Sequence, residues 1–207
     1  MTDIKRLRLF GQSFNLVLIL SLVFFIGGCT KSAPSSDGTS LPAAEKNRVG
    51  FDIDDTLLFS SGAFDVGKKS GYEFGTDEFW SIVNSSDRKY SLVKKSVLAL
   101  VREHQEKGDE VYVITARRNV DGDPVKEYIS EVFRVPKENI FFEPDGKTER
   151  LKVLKLQTFY GDSDSDISDA QAAGIEGVRI QRSPKSGYKK KYNPGNFGER
   201  VIENTEE

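Results

Sequence analysis

The sequence has very little of the two side chains that most often hold transition metals. Its 207 residues include one cysteine and one histidine. A single cysteine excludes an internal disulfide framework and a cysteine-based metal cluster, and a single histidine excludes a multi-histidine zinc site within one chain. Any metal chemistry must therefore use oxygen ligands, which favours magnesium, manganese or calcium.

The chain also lacks a strong excess of either charge. Lysine and arginine together number 30, and aspartate and glutamate 32, which gives a net charge of -2 at pH 7. No long basic stripe interrupts this balance, so a nucleic-acid polymer is not an expected partner. The length suits one domain with a short additional segment.

Three carboxylates stand at the end of an apolar run. Residues 49–53 are apolar apart from Asp52, and Asp54 and Asp55 follow directly. On an extended backbone Asp52 and Asp54 leave the same face, so one cation or one phosphoryl group can lie between them. Carboxylates this close repel one another, and a cation relieves that repulsion. The alternative is a solvated acidic loop after a strand, which is common for short acidic clusters.

The first 28 residues have the composition of an export signal. A positively charged start precedes an apolar block over residues 14–26, which is short for a membrane span of about 20 residues. Small residues precede Cys29, and this resembles a bacterial lipobox, in which the cysteine is lipidated. We therefore predict a lipoprotein-type signal peptide over residues 1–28 and an exported protein, periplasmic or on the cell surface, that a lipid anchors to a membrane. The alternative is an uncleaved anchor helix with an incidental cysteine.

Beyond Cys29 the composition predicts a spacer and then one globular domain. Residues 29–47 are rich in Ser, Ala, Gly and Pro and predict a flexible spacer, whereas residues 48–207 alternate between strand and helix patterns. This alternation predicts an α/β fold, with a parallel sheet covered on both faces. The predicted strands are 48–53, 110–115, 140–142, 158–160 and 177–180, and the predicted helices are 92–106, 123–133, 147–156 and 165–173, with a short one after residue 76. Glycines over residues 60–75 predict a loop.

Polar residues follow the strands at the edge where such a sheet binds its ligands, beyond the carboxyl ends. The first strand ends in Asp52 and Asp54, the second in Thr115, and the fourth runs into Asp162. Lys147 begins the helix between the third and fourth strands. Taken singly, a threonine at a strand end is often a turn former and a lysine at a helix start is usually exposed. Together they supply a nucleophile, a hydroxyl group, a cation and a second acidic cluster, which phosphoryl transfer requires.

In order, these positions resemble the four motifs of the haloacid dehalogenase (HAD) superfamily. Asp52, Asp54 and Thr56 match its first motif, D-x-D-x-T. Three longer phrases, Phe-Asp-Ile-Asp-Asp-Thr-Leu-Leu-Phe-Ser-Ser, Phe-Tyr-Gly-Asp-Ser-Asp-Ser-Asp-Ile and Asn-Phe-Gly-Glu-Arg-Val-Ile, resemble the bacterial class B acid phosphatases. The resemblance covers nearly all of residues 48–207. It implies a three-layer, Rossmann-like HAD fold with a minimal cap and a magnesium-dependent acid phosphatase that hydrolyses phosphomonoesters.

The resemblance implies a role for each matched carboxylate. Asp52 would be the nucleophile that forms an aspartyl-phosphate, and Asp54 would donate a proton to the leaving oxygen and then accept one from water. This role requires Asp54 to stay partly protonated, which neighbouring carboxylates favour. Asp52, the backbone carbonyl of Asp54, and Asp162 would bind Mg²⁺. Asp166 would contact a water ligand of that ion or support Lys147.

The resemblance also implies which groups hold the phosphoryl oxygens. Thr115, the backbone amide of Ala116, and Lys147 would bind them as charge spreads over them. The family more often has glycine where this chain has Ala116, which slightly crowds the phosphate loop. Asp164 and Asp169 are expected to be solvated or to cap the helix that begins at residue 165.

Three aromatic residues match positions that shape the leaving-group pocket of class B enzymes. They are Phe64, Trp80 and Tyr188, and such rings would stack on nucleobases or aryl groups. The alternative is ordinary core packing, which is the more common explanation for Trp80. The segment after the first motif is too short for a large helical cap, so we expect an open site that admits bulky phosphomonoesters, among them nucleotides.

Two further functions remain open beside a general acid phosphatase. One is a narrower 5'-nucleotidase, and the other is a surface lipoprotein that binds ligands on the same fold without turnover. The complete set of Asp52, Asp54, Thr115, Lys147 and Asp162 argues against the second. Family members assemble into oligomers through an arm before Asp52 that is shorter in this chain, so the resemblance leaves a homo-oligomer open.

Overall fold

Eight strands and six α-helices account for most of residues 46–205, the part of the chain that this computed structural model describes. The predicted signal peptide, Cys29 and nearly all of the spacer lie outside the described residues. The strands are β1 (Arg48–Phe51), β2 (Leu58–Phe59), β3 (Leu92–Val93), β4 (Glu110–Thr115), β5 (Ile140–Phe142), β6 (Thr158–Gly161), β7 (Glu176–Ile180) and β8 (Arg200–Ile202). The helices are α1 (Ser61–Lys69), α2 (Asp77–Tyr90), α3 (Lys95–Glu106), α4 (Asp123–Phe133), α5 (Thr148–Val153) and α6 (Asp164–Ala173). None of these helices is both long and apolar enough to traverse a bilayer.

Six strands form one parallel sheet in the order β5-β4-β1-β6-β7-β8. Strand β1 lies in the middle, and its last residue, Phe51, is level with Val113 of β4 on one side and Tyr160 of β6 on the other. The carboxyl ends of these three strands therefore meet at one edge of the sheet. The predicted α/β fold is confirmed, and the side chains that follow β1, β4 and β6 emerge close together.

Two apolar clusters cover the two faces of this sheet. Consecutive residues of a strand face opposite ways, and accordingly Val113 belongs to the cluster that includes α3 and α4, whereas Ile114 belongs to the cluster that includes α5 and α6. Phe51 and Phe159 are fully buried on these opposite faces. Each such side chain stabilises the fold by about 1.5–3 kcal/mol, so the sheet is a rigid base for the residues at its edge.

The segment predicted as a glycine-rich loop instead contains helix α1. Its glycines serve close packing against α2: a Cβ on Gly62 would lie 2.0 Å from the carbonyl oxygen of Tyr90, and one on Gly67 would lie 2.8 Å from the side chains of Phe79 and Val83. Strands β2 and β3 pair antiparallel beside these helices. The insert between β1 and α3 thus consists only of α1, α2 and this ribbon, which agrees in size with the minimal cap that the resemblance implies.

Other predicted boundaries also shift. The predicted helix 92–106 begins only at Lys95, because the preceding residues pair with β2. The sheet does not end at β7, because β8 adds a sixth parallel strand to it. His104 lies on α3, and its ring contacts the Asp109 carboxylate at 2.8 Å and the Tyr160 hydroxyl at 2.9 Å.

Candidate active site

The first acidic residue leaves the sheet where β1 ends. The backbone N–H of Asp52 still donates to the Tyr160 carbonyl at 2.9 Å, so its position is set by the sheet rather than by a loop. Its side chain is buried. Strand β4 delivers Thr115 beside it and β6 delivers Asp162, as the sequence pattern predicted.

Lys147 joins two of the buried carboxylates. Its Nζ lies 2.6 Å from Asp52 Oδ1 and 2.6 Å from Asp166 Oδ1, and the residue is only 3% exposed. Burial alone would lower the pKa of Lys147, but the charges of Asp166 and Asp52 outweigh it and raise that pKa. The ammonium group therefore stays charged at the bottom of the site. Of the two roles left open for Asp166, support of Lys147 corresponds to the contact present here.

Helix α6 contacts both the ammonium group and the backbone N–H of Lys147. Asp166 contacts the ammonium, and Asp169 one turn later accepts from the Lys147 backbone N–H at 3.0 Å and from the Thr148 hydroxyl at 2.7 Å. The expectation that Asp169 is solvated or caps its own helix is wrong, because its carboxylate caps the start of α5. Helix α6 is capped instead by a reciprocal pair of Ser163 and Asp166.

Three carboxylates are close enough to share one cation. Asp52, Asp162 and Asp166 each offer one oxygen, and these oxygens lie within 4.8 Å of one another in buried surroundings. Burial raises the pKa of Asp52 well above its ordinary value, with further increases from Asp166 and Asp54, although the Lys147 charge opposes the shift. Burial likewise raises the pKa of Asp162 to about 7. Clustered carboxylates that resist ionisation are a fitting site for a divalent cation, because hard oxygen ligands suit it and its charge relieves their repulsion.

We expect the affinity of this cluster for a divalent cation to rise between about pH 4 and about pH 7. Below a pKa of about 7 the metal-free protein keeps a proton on Asp162, which an unfolded chain would lose near pH 4. A cation must displace this proton, so affinity should rise by about tenfold per pH unit for each proton released. Isothermal titration with Mg²⁺ at about pH 5 and pH 7 measures this rise, and equal affinities at both pH values would contradict it.

The same protonation affects stability without metal. Because the folded state binds more protons than the unfolded state across this window, the contribution of Asp162 to the free energy of unfolding falls as the pH rises. Saturating Mg²⁺ should remove that fall, which thermal unfolding with and without the ion can measure.

Asp54 points to a different partner. Arg117 donates from Nε to Asp54 Oδ2 at 2.9 Å and from Nη2 to Asp54 Oδ1 at 2.6 Å. Burial acts to raise the pKa of Asp54, but the charge and hydrogen bonds of Arg117 outweigh it and lower that pKa. This differs from the expectation that neighbouring carboxylates keep Asp54 partly protonated. The Asp54 side chain is 27% exposed, more than those of Asp52, Asp162 and Asp166.

Sequence reasoning missed two buried arginines that pair with carboxylates of the site. Besides Arg117, Arg182 donates from Nε to Asp162 Oδ2 at 2.5 Å and from Nη1 to the carbonyls of Tyr188 at 2.9 Å and Lys190 at 3.1 Å. Arg182 thereby ties the loop after β7 to the acidic cluster. The available signal was position, since each arginine lies two residues beyond the end of a core strand.

The remaining predicted substrate contacts differ in exposure. Thr115 is fully buried and its hydroxyl accepts from the Arg117 N–H at 3.3 Å, whereas Ala116 is exposed. Trp80 is 8% exposed and packs edge-on against Phe64, with ring centroids 5.9 Å apart, which agrees with core packing. Tyr188 is 48% exposed and is the most accessible of the three predicted aromatic residues.

Gly161 allows Asp166 to approach the sheet, and we expect Gly161→Ala to impair the site. A Cβ at this position would lie 2.3 Å from the Asp166 Cβ, so α6 or the Asp166 side chain must move and the contact with Lys147 must lengthen. Overpacking of this kind costs about 1–3 kcal/mol. The midpoint temperature of thermal unfolding and the rate of phosphomonoester hydrolysis should both be lower than in the wild type. Gly174→Ala at the end of α6 is the comparison, because no atom lies within 4 Å of a Cβ there, although its φ of 76° causes strain of its own.

Comparisons with known proteins point to one family. A family model described as HAD superfamily, subfamily IIIB (acid phosphatase), matches residues 29–191. The class B acid phosphatase of Morganella morganii is 39% identical over 171 residues, which cover 76% of this chain and 72% of that protein. The class B acid phosphatase of Salmonella typhimurium is 38% identical over 181 residues, which cover 81% and 76%.

Solved structures share the fold at low sequence identity. A HAD family hydrolase from Deinococcus radiodurans R1, with bound phosphate and sodium, aligns with a TM-score of 0.51 and 14% identity over 77% of this chain and 92% of that chain. A structure named as a predicted phosphatase from Clostridium acetobutylicum aligns with a TM-score of 0.52 and 15% identity over 76% and 93%. At such low identities, these similarities support the fold assignment alone.

Proposed function

This chain belongs to the class B acid phosphatases of the HAD superfamily and is a phosphatase of small phosphomonoesters; from that premise we propose that it is Mg²⁺-dependent and works through an aspartyl-phosphate on Asp52. The observation that carries the proposal is the buried Asp52 carboxylate, held at 2.6 Å by the charged Lys147 at the end of the central strand. A strand that ends in a buried, cation-paired carboxylate beside two others costs stability, and covalent catalysis gives a reason for that cost.

In the first half-reaction the Asp52 carboxylate attacks the phosphorus atom. A bond forms between an Asp52 oxygen and phosphorus as the bond from phosphorus to the substrate alcohol oxygen breaks. Asp54 transfers its proton to that departing oxygen. Arg117 lowers the pKa of Asp54, so the proton donor forms only at more acidic pH than for an ordinary carboxyl group, and this step is therefore favoured in acid.

In the second half-reaction water attacks the phosphorus atom and Asp54 accepts its proton. The bond between phosphorus and the Asp52 oxygen breaks, which releases phosphate and restores both carboxyl groups. Thr115, the Ala116 amide and Lys147 stabilise the charge that spreads over the phosphoryl oxygens in both steps. Asp52, the backbone carbonyl of Asp54, and Asp162 would hold Mg²⁺, with Asp166 beside them, and the ion supplies positive charge toward the incoming phosphate.

The leaving group lies on the side of α1 and α2. Phe64 and Trp80 belong to an aromatic cluster there, and the accessible Tyr188 is carried by the loop that Arg182 ties to Asp162. Flat aromatic walls without a large cap suit aryl groups and nucleobases. Nucleotides and aryl phosphates are therefore the substrates that we propose to compare first.

We also propose that the protein is exported and lipid-anchored through Cys29. Support comes from the charged start, the apolar block and the small residues before Cys29 in the sequence. A mature chain without residues 1–28 but with two or three acyl groups would bind a membrane stably. Mass spectrometry of the mature protein from a membrane fraction tests this, and an unmodified Cys29 would contradict it.

The proposed activity is tested by hydrolysis of p-nitrophenyl phosphate at acidic pH, with Mg²⁺ and then with EDTA. Turnover that requires the ion supports the proposal. A parallel panel of nucleoside 5'- and 3'-monophosphates separates a general phosphatase from a 5'-nucleotidase, since only the latter rejects the 3' series and the aryl phosphate. A purified, folded protein that hydrolyses none of these with any divalent metal would refute the proposal and favour a ligand-binding lipoprotein.

A further inference from the structure

Arg117 is a buried cation of the site that forms or breaks no bond and transfers no proton in the proposed reaction. Arg117 follows β4, and its side chain is completely buried. Two of its N–H groups donate to the two oxygens of Asp54 at 2.9 and 2.6 Å. A planar guanidinium that makes two parallel hydrogen bonds fixes both the position and the rotation of a carboxylate. Arg117 therefore fixes one edge of the Asp54 carboxylate, whereas the side chain is still 27% exposed to solvent.

A second carboxylate holds Arg117 from another side. Asp87 of α2 is completely buried, and its oxygens accept from Arg117 Nη1 at 2.5 Å and from Nη2 at 3.2 Å. The Ser91 hydroxyl donates to Asp87 Oδ1 at 2.6 Å. Asp87 is thus itself fixed, and it leaves the guanidinium little freedom to turn away from Asp54.

Asn84, one turn earlier in α2, closes the arrangement. Its Oδ1 accepts from Arg117 Nη1 at 3.3 Å, and its Nδ2 donates to the carbonyls of Arg118 at 3.0 Å and Val120 at 2.8 Å. Helix α2 and the loop after β4 are therefore joined around the guanidinium. Any movement of α2 is carried to Arg117.

The same guanidinium also contacts the aromatic residues of the leaving-group side, which come from α1 and α2. The Arg117 guanidinium carbon lies 5.7 Å from the centre of the Phe64 ring, and Phe64 packs edge-on against Trp80 of α2. The wall expected beside the leaving group and the carboxylate expected to protonate it thus share one support.

A purely structural role explains only part of this geometry. An arginine that merely fastens α2 to the sheet would need Asp87, which is buried and otherwise an uncompensated charge. It would not need both oxygens of a partly exposed carboxylate two residues from Asp52. We propose that Arg117 is a positioning residue that aims the Asp54 carboxylate at the leaving-group oxygen, with Asp87 holding Arg117 in the required orientation. This inference rests on the proposed function.

The test compares kcat/KM for two substrates that differ in their leaving groups. This constant depends only on the steps up to and including cleavage of the ester bond, and not on hydrolysis of the aspartyl-phosphate. Phenyl phosphate releases a phenol with a pKa of about 10 and depends on a proton donor, whereas p-nitrophenyl phosphate releases a stable anion and depends on it far less. For Arg117→Met we expect a loss of about 10²-fold or more on phenyl phosphate, the scale of general acid catalysis, and less than about tenfold on p-nitrophenyl phosphate. Inhibition by inorganic phosphate should stay unchanged, because the phosphoryl contacts are untouched.

Two further variants keep the test decisive if Arg117→Met does not fold. Arg117→Lys keeps the charge but loses the parallel hydrogen bonds, and Asp87→Asn leaves Arg117 in place but weakens its second support. In both variants kcat/KM should fall more on phenyl phosphate than on p-nitrophenyl phosphate, and this difference should be smaller in Asp87→Asn than in Arg117→Lys. Arg88→Met is the matched control, because Arg88 lies next to Asp87 on α2 but pairs on the surface with Glu131, and it should show no bias.

The outcomes separate this inference from the proposed function. Equal losses on both substrates, or loss of phosphate inhibition, would show that Arg117 only maintains the structure and would overturn the inference while the phosphatase activity stands. A bias against phenyl phosphate in the Arg117 and Asp87 variants supports it. A folded wild-type protein that hydrolyses neither substrate overturns both.

Discussion

Asp52→Asn is expected to abolish turnover, with kcat lower by about 10⁴-fold or more, the scale on which catalytic groups matter in other enzymes. The asparagine amide cannot attack phosphorus to form the acyl phosphate that the Asp52 carboxylate forms. The loss should be the same for good and poor leaving groups, since no phosphoryl transfer to the protein can begin. Rapid acid quenching with radiolabelled substrate measures the second consequence: labelled protein should accumulate in the wild type and be absent from the variant.

The stability of Asp52→Asn distinguishes lost chemistry from lost folding. Because burial raises the pKa of Asp52 well above its ordinary value, the ionised carboxylate is costly in the folded state, and the neutral amide removes that cost. The substitution also removes one of the two carboxylates that contact Lys147, but Asp166 still pairs with that ammonium group. We therefore expect a midpoint of thermal unfolding close to that of the wild type in the absence of metal. Asp65→Asn is the control, since Asp65 is exposed on α1 and pairs with Lys68 at 3.5 Å on the surface. Labelled protein in Asp52→Asn would contradict the assignment of the nucleophile.

Lys147→Met is expected to damage both stability and activity. It leaves Asp52 and Asp166 buried without the cation that both contact at 2.6 Å, and breaking a buried ion pair in this way costs about 3–5 kcal/mol. Loss of one positive group from the phosphoryl contacts should lower kcat by about 10²–10³-fold. Thermal unfolding and steady-state kinetics on the same preparation measure the two effects.

A divalent cation should partly restore the stability of Lys147→Met. The three carboxylates near the lost ammonium can share the ion, so Mg²⁺ should raise the unfolding midpoint of the variant more than that of the wild type. Lys152→Met is the matched control on α5, because Lys152 pairs on the surface with Glu149 at 3.0 Å, a contact worth about 0–1 kcal/mol. A Lys147→Met protein that keeps wild-type kinetics would refute the role of Lys147.

The sequence predicted those parts of the site that depend on strand ends. An apolar run locates a strand, and parallel strands end at one edge of their sheet, so the pattern alone was enough to bring Asp52, Thr115 and Asp162 together. Lys147 lies at the start of a helix, and the sequence pattern identified it only as a cation of the site; the family resemblance assigned it to the phosphoryl oxygens.

The buried arginines could not be found in the same way. The partners of Arg117 are Asp54 and Asp87, which lie far from it in the chain and on different elements. No local pattern marks an exposed-looking charge as the counterion of another. The α1 helix was missed for a related reason: its glycines indicated a turn, whereas their function is contact with α2, which only the packed structure reveals.

The position of β1 also has a consequence for how the chain folds. Among the core strands of residues 46–205, β1 is synthesised first, but its two neighbours come much later: Arg48 pairs with Glu110, and Val49 pairs with Thr158. Closing such long loops delays folding, because the entropy of closure is lost before the contacts form. A nascent chain that has not reached β6 leaves the central strand open on one side. The acidic edge can therefore assemble only late, after most of the domain has emerged.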